Sequence, residues 1–362
     1  MKIYIVGGWV RDRLIHELLG RPDTPSDRDF VVVGATADEL LKKGFIQVGA
    51  DFPVFLHPVT HEEYALARVE KKSGRGYLGF ETETKGVTLE EDLMRRDLTV
   101  NAVAFDGKNY IDPFGGIADI RAMRLRHVSA AFSEDPVRVL RCARFAAQLP
   151  GFQVAPGTMG LMRSMVASGE TDALTGERIY KEFSKTLNLA DPSPFFSVLS
   201  QTGFFARVFP EVEKYFDTAL LKKACQAGLP LQTRFAALLR AAPPDASENF
   251  LSEIRAPKET FEFSLLFAKL GESFGEAPSP EGFLSLFTRS DAFRKTERFY
   301  LLCRCAGALY GADTGTAVRG LEVLKALPAG EIAKRCAKPS EIPGALRQAR
   351  LARLETFLKE GK

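Results

Sequence analysis

The feature that most constrains this chain is Gly7-Gly8-Trp9-Val10-Arg11-Asp12, followed by Ser26-Asp27-Arg28-Asp29-Phe30-Val31-Val32-Val33. The apolar run Ile3 to Val6 reads as a buried strand. Two glycines directly after it predict a turn that lets the backbone come close to a phosphate, while the next helix offers the positive end of its dipole. Arg11 falls one or two turns into that helix. The second strand begins with two carboxylates separated by one residue, and side chains two apart on a strand share a face. Asp27 and Asp29 therefore point one way and Arg28 the other. Each half of this pattern has an ordinary explanation, a common tight turn or a solvated strand entrance. In this order, they describe a site for a metal-bound nucleoside triphosphate.

A second constellation follows: Arg95-Arg96-Asp97-Leu98-Thr99-Val100-Asn101-Ala102, Asp112-Pro113-Phe114-Gly115-Gly116, and Glu134-Asp135-Pro136-Val137-Arg138-Val139-Leu140-Arg141-Cys142-Ala143-Arg144-Phe145. With it, the chain resembles the class II tRNA nucleotidyltransferases, the CCA-adding enzymes, and most closely their bacterial members within the poly(A) polymerase and tRNA nucleotidyltransferase superfamily. The resemblance runs almost continuously from Met1 to about Pro210. It includes Asp51 to Pro58, His61 to Arg68 and Gly176-Glu177-Arg178-Ile179.

Up to about Arg126, strand-like and helix-like segments alternate: Ile3 to Val6, Val10 to Leu19, Phe30 to Val33, Ala37 to Lys43, Val54 to Leu56, Tyr64 to Val69 and Leu89 to Arg95. This predicts a small mixed sheet with helices on it. From Asp135 onward strands almost vanish and amphipathic helices take over, among them Pro136 to Leu149, Pro156 to Ala167, Gly176 to Leu187, Pro194 to Thr202, Arg234 to Arg240 and Phe299 to Leu309. The expected architecture is multidomain α+β. A nucleotidyltransferase-type head (1–126) precedes an all-α neck with nucleotide-base recognition (127–190) and an all-α body and tail that bind tRNA (191–362). Glu70 to Lys85, rich in Gly, Lys and Glu, reads as a mobile loop beside the head.

The resemblance implies roles for individual residues. Asp27 and Asp29 are the metal ligands, for Mg²⁺, which takes oxygen donors and few protein carboxylates. Glu63 matches a carboxylate on a neighbouring strand that orients the hydroxyl or a metal-bound water, although an ordinary exposed strand residue would look the same. Gly8, Arg11 and Arg96 match nucleotide contacts. Arg141 and Arg144 match contacts to the triphosphate, and arginines on a half-buried helix need anions. Asp135 and Arg138 match the pair that reads the base. A carboxylate accepts from an exocyclic amine and an arginine donates to a ring acceptor, so cytosine and adenine both satisfy the pair, whereas uracil and guanine mismatch it. Asp135 is equally suited to capping the helix that follows.

The implied activity is template-independent addition of CCA to the tRNA 3′ end from CTP and ATP, releasing pyrophosphate by a two-metal mechanism. Relatives that add only CC, or only A, and bacterial poly(A) polymerases share the head, and a non-catalytic tRNA-binding protein could keep the fold. The segment Phe52 to Phe80 is more similar to CCA-adding members than to polymerases, and the stretch between Arg68 and Arg95 retains an element that CC-only enzymes lack. Some relatives carry a His-Asp phosphohydrolase domain after an Arg-Phe-Ala lead. Here Arg240-Ala241 occupy the place of that pair and no histidine follows His127, so no second active site is expected.

Composition adds limits. The longest apolar runs are well short of a membrane span, and Met1-Lys2 leads straight into the first strand, so a cytoplasmic protein is expected. Cys142, Cys225, Cys303, Cys305 and Cys336 are odd in number and scattered, which argues against a disulfide framework or a zinc site. His16, His57, His61 and His127 lack partners at metal spacing and read as structural. A net charge of +3 is too weak to predict nucleic-acid binding. From Lys334 to Lys362, however, eight basic residues face three acidic ones, including Arg347, Arg350 and Arg353. That segment is either a solvated helix face or a phosphate-binding patch.

Overall fold

The computed structural model describes residues 1–23, 26–49, 54–72, 80–275 and 279–360. They form two compact units, one of residues 1–186 and 192–210 and the other of residues 187–191 and 211–362. The first contains a seven-stranded sheet in the order β3-β4-β5-β2-β1-β8-β9. Its strands are β1 (Lys2–Val6), β2 (Asp29–Val33), β3 (Ile46–Val48), β4 (Val54–Leu56), β5 (Glu63–Leu66), β8 (Ala104–Phe105) and β9 (Tyr110–Ile111). β2 and β5 run parallel, and every other neighbouring pair is antiparallel.

Alternation along β2 divides the core between the two faces of the sheet. Val31 packs with Val6, Leu93 and Ala104, whereas Val32 packs with Leu40, Phe55 and Leu66. The flanking helices α2 (Ala37–Lys42) and α3 (Leu89–Met94) supply Leu40 and Leu93, and each opens with a capping box, Thr36 with Glu39 and Thr88 with Glu91. α1 (Gly8–Leu19) follows β1, and α4 (Gly116–Arg121) follows β9. Gly115 and Gly116 start α4 because Asp112 accepts from the backbone N–H groups of Gly116 (2.7 Å) and Ile117 (2.9 Å).

Several sequence expectations change here. Ile3 to Val6 is not a wholly buried strand: Val6 is buried but Ile3 is 38% exposed. Asp27 precedes β2, which begins at Asp29. The ends of the expected loop from Glu70 to Lys85 form an antiparallel ribbon of β6 (Val69–Lys72) and β7 (Phe80–Glu83), since backbone pairing needs no apolar sequence. Residues 73–79 lie outside the described residues. Strands also reach past Asp135, because β11 (Gln153–Val154) pairs in parallel with β10 (Arg124–Leu125).

The rest of the first unit is helical: α5 (Val137–Gln148), α6 (Pro156–Ala167), α7 (Gly176–Leu187, reaching the second unit at its last residue), α8 (Ser193–Thr202) and α9 (Phe204–Val208). Phe183, Phe195 and Phe205 are fully buried, with the rings of Phe183 and Phe195 edge to face at 5.1 Å. The second unit holds α10 (Thr218–Gln226), α11 (Leu231–Leu238), α12 (Pro244–Glu253), α13 (Lys258–Leu270), α14 (Pro280–Arg289), α15 (Thr296–Tyr310), α16 (Gly315–Lys325), α17 (Ala329–Lys334) and α18 (Ile342–Glu360). Phe263, Phe267, Phe287 and Phe299 centre its core, which includes Cys303 and Cys305. No helix among the described residues is long and apolar enough to cross a membrane.

Candidate active site

Gly7 caps α1 with φ +75°, a backbone conformation that favours glycine. A Cβ there would stand 3.3 Å from Asp29 Oδ2 and 3.7 Å from an Arg96 nitrogen. The glycine turn thus makes room for a carboxylate and a guanidinium at the start of α1. Asp29 pairs in register with Val6 on one side and Glu63 on the other. Burial pushes its carboxyl above the usual carboxylate range, Arg96 opposes this, and the negative charges of Glu63 and Asp27 add to it.

Above this point opens a cleft of about 800 Å³. It brings together Gly7, Gly8, Arg11, Asp29, Arg96, Asp135, Arg138, Arg141 and Arg144 from the sequence expectations. Asp27 and Glu63 lie outside its lining. Arg68, Arg95, Asp97, Asn101, Phe145, Gln148, Arg178 and Glu182, for which the sequence suggested no site role, also line it, as do Lys181 and Lys185. Ten lining residues are Arg or Lys and four are Asp or Glu, so the cleft suits a polyanion.

The arginines are held in place by the protein itself. Arg11, 4% exposed, donates to Asn101 Oδ1 (2.9 Å) and to Asp12 (2.8 Å). Arg96 pairs with Asp92 at 3.1 Å, while its buried Nε has no hydrogen-bond partner among the described residues. Burial alone would raise the Asp92 carboxyl, but Arg96 and Arg95 hold it below its ordinary value. Arg141 pairs with Asp97 at 2.7 Å, and Arg144 with Glu182 at 2.6 Å. The guanidinium groups of Arg11, Arg141 and Arg144 lie 4.4–5.7 Å from the centre of the Phe145 ring. The anions expected for the arginines of α5 are therefore, in the first instance, Asp97 for Arg141 and Glu182 for Arg144.

Asp135 sits in extended backbone just before α5. Its Oδ1 accepts from the Val137 N–H at 3.1 Å, the capping role, and its Oδ2 accepts from Arg178 at 2.8 Å. Arg138, 9% exposed, donates to the backbone carbonyls of Ala131 (2.7 Å) and Arg95 (2.6 Å). Both side chains line the cleft at the start of α5. On α7, burial and the positive charges of Arg144, Lys181 and Arg141 push Lys185 below its ordinary value against the pull of Glu182.

Among the described residues, no group of three or more His, Cys, Asp or Glu side chains is placed to hold a metal ion. Three histidines are occupied structurally: His16 Nδ1 lies 2.6 Å from the Arg21 carbonyl oxygen, His57 Nδ1 accepts from the Thr60 N–H at 3.1 Å, and His127 Nδ1 lies 2.8 Å from Thr158 Oγ1.

Residues 3–126 match the family described as poly A polymerase head domain, and residues 151–216 match the probable RNA and SrmB-binding site of polymerase A. A CCA-adding enzyme of Bordetella pertussis is 48% identical over 360 residues, covering 98% of this chain and 96% of the relative. A multifunctional CCA protein of Aromatoleum aromaticum is 41% identical over 412 aligned positions, covering 100% of both chains. The structure of a Bacillus stearothermophilus CCA-adding enzyme in complex with CTP is similar at a TM-score of 0.68 and 25% identity, covering 98% of this chain and 89% of that one.

Proposed function

Because the chain belongs to the family of CCA-adding enzymes, we propose that it builds the CCA 3′ end of tRNA from CTP and ATP, without a nucleic-acid template, by a two-metal nucleotidyl transfer. The observation that carries this reading is one cleft lined by Asp29, the arginines of α5 and the Asp135–Arg138 pair. A triphosphate reaching Asp29 can thereby present its base to the start of α5.

The donor set fits Mg²⁺. Asp27 and Asp29 are hard oxygen donors; burial first, and then the negative charges of Glu63 and Asp27, raise the Asp29 carboxyl against the pull of Arg96, and a cation relieves that repulsion. Two carboxylates suffice, since substrate phosphates and water complete such a shell. When bound, the metal ions supply Lewis-acid charge at the α-phosphate and favour the ionised 3′-hydroxyl. Arg96, Arg141 and Arg144 hold the triphosphate and balance charge on the leaving pyrophosphate. Glu63 orients the attacking hydroxyl from β5. Asp135 accepts from the exocyclic amine of cytosine or adenine while Arg138 donates to the neighbouring ring acceptor. Uracil and guanine leave both groups mismatched in a partly dry cleft.

Product length tests the proposal. A tRNA lacking its 3′ end, supplied with CTP, ATP and Mg²⁺, should gain three nucleotides, and one ending in CC should gain a single A. Arrest after two nucleotides would make this a CC-adding enzyme, and failure to extend any tRNA but the CC-ended one an A-adding enzyme. A long A tract would point to a poly(A) polymerase, and no extension to a tRNA-binding protein.

A further inference from the structure

We propose that Phe145 on α5 is a positioning residue for nucleotidyl transfer: its ring gathers three guanidinium groups into the one cluster that takes the β- and γ-phosphates of the incoming nucleotide. This rests on the reading of Arg141 and Arg144 as the groups that hold the triphosphate. Phe145 is 5% exposed and has the burial of an ordinary core aromatic, yet it lines the cleft. The guanidinium carbon of Arg144 lies 4.4 Å from the centre of its ring, that of Arg11 5.2 Å and that of Arg141 5.7 Å. Arg141 stands one helical turn before Phe145 on α5, and Arg144 directly precedes it. Arg11 reaches the same ring from α1, so the ring joins two elements of the site.

Three cations round one ring repel one another, and each is drawn to a different carboxylate: Arg11 to Asp12 at 2.8 Å, Arg141 to Asp97 at 2.7 Å and Arg144 to Glu182 at 2.6 Å. Asp12 lies on α1, Asp97 in the 95–101 segment and Glu182 on α7, so these partners pull the guanidinium groups apart. The negative face of an aromatic ring attracts a guanidinium and offsets part of that repulsion. The ring also uses no N–H donor. A carboxylate occupies donors in the plane of the guanidinium, whereas an aromatic ring takes its flat face and leaves the in-plane fork to phosphate oxygens. Leucine at this position would fill space without either effect. A cluster already spaced before the nucleotide arrives needs no reorganisation when it binds the anion. The gain belongs to the β- and γ-phosphates, and it is therefore the same for CTP and ATP.

The test replaces Phe145 by mono-, di- and trifluorinated phenylalanine through amber suppression, with Phe145→Leu, Arg144→Ala and thermal melts alongside. Inorganic pyrophosphate and CMP are the probes, each titrated against the full chain. Fluorine draws charge off the ring face while hardly changing its shape, which keeps the test usable if Phe145→Leu does not fold. The proposal predicts that the Kd for pyrophosphate climbs stepwise with fluorine count, reaching about fivefold for the trifluorinated ring, and that Phe145→Leu weakens it at least as far. KM for CTP and for ATP in tRNA extension should rise by the same factor, while the Kd for CMP, which lacks the β- and γ-phosphates, stays at the wild-type value. A pyrophosphate Kd indifferent to fluorination, or a CMP Kd that shifts as far as that for pyrophosphate, would make Phe145 a packing residue and overturn its role while leaving the arginines as the triphosphate holders. Wild-type pyrophosphate binding by Arg144→Ala would overturn the reading of the arginines and this proposal together.

Discussion

Both Nε and a terminal nitrogen of Arg141 approach the same oxygen of Asp97, at 2.8 and 2.7 Å, while the other oxygen accepts from the Leu98 N–H and the Asn101 side chain. Asn101 in turn accepts from Arg11. One buried carboxylate thereby ties α5 and α1 to the 95–101 segment and holds two cleft arginines. Burial alone would raise its pKa, but Arg141, Asn101 and the Leu98 N–H hold it well below the usual carboxylate range.

Asp97→Asn should therefore destabilise the fold by about 3 kcal/mol at neutral pH, the order expected when one partner of a buried ion pair is removed. The sign of the pH dependence follows from the depressed pKa. The stabilisation is complete above the unfolded-state value near ~4 and is lost as pH falls toward the folded-state value. Urea unfolding from pH 7 down to pH 3 should show wild type converging on Asp97→Asn in acid. Parallel curves would assign the acid sensitivity to other carboxylates.

Gly116 makes a second, purely steric prediction. A Cβ there would lie 2.2 Å from the Thr99 carbonyl oxygen and 2.7 Å from a Val103 methyl. Overpacking against backbone cannot be relieved by a rotamer change, so Gly116→Ala should cost about 3 kcal/mol and lower Tm by several degrees. Gly160, with nothing near its would-be Cβ, is the control. Equal melting of the two variants would contradict this account of the Asp112 to Gly116 motif.

In the tail, Arg350 stacks over Phe293 at 4.0 Å and its pKa is lowered by burial, so it is packed into its unit. Arg347 and Arg353 are exposed. If these two contact tRNA phosphates, Arg347→Glu with Arg353→Glu should raise KM for full-length tRNA more than for an acceptor-stem minihelix. Nucleotide KM should not move, and the slope of log K against log salt should fall by about 1 per lost contact. An unchanged slope would make them a solvated helix face and move attention to Lys181 and Lys185.

Much of the architecture was legible because local signals agreed. α6 was expected at its observed bounds, since Pro156 is tolerated at its first position and Gly169 follows its end. The Gly7–Gly8 turn and Asp29 were legible because a close backbone approach demands glycine. The ion-pair partners were not: Asp97 and Arg141 are 44 residues apart, Arg144 and Glu182 38 apart. Sequence alone cannot tell a buried carboxylate from a solvated one. α7 was expected at its observed bounds, but its place in the site was not legible. Arg178, Lys181, Glu182 and Lys185 recur at three- and four-residue spacing beside the buried Ile179, Phe183 and Leu187, a signal equally expected of an exposed helix face. Only the tertiary fold turns that face into the wall of the cleft.

The central claim is that the carboxylates at the start of β2 carry out transfer in this cleft. It is tested most directly by single-turnover addition of CMP and AMP to tRNA by Asp29→Ala, with Tm and tRNA Kd measured on the same sample. The account predicts that addition falls by about a thousandfold or more, because the variant loses a metal-held reaction centre, while Tm and tRNA binding stay near wild type. Addition within about tenfold of wild type by a folded, tRNA-binding Asp29→Ala protein would contradict it.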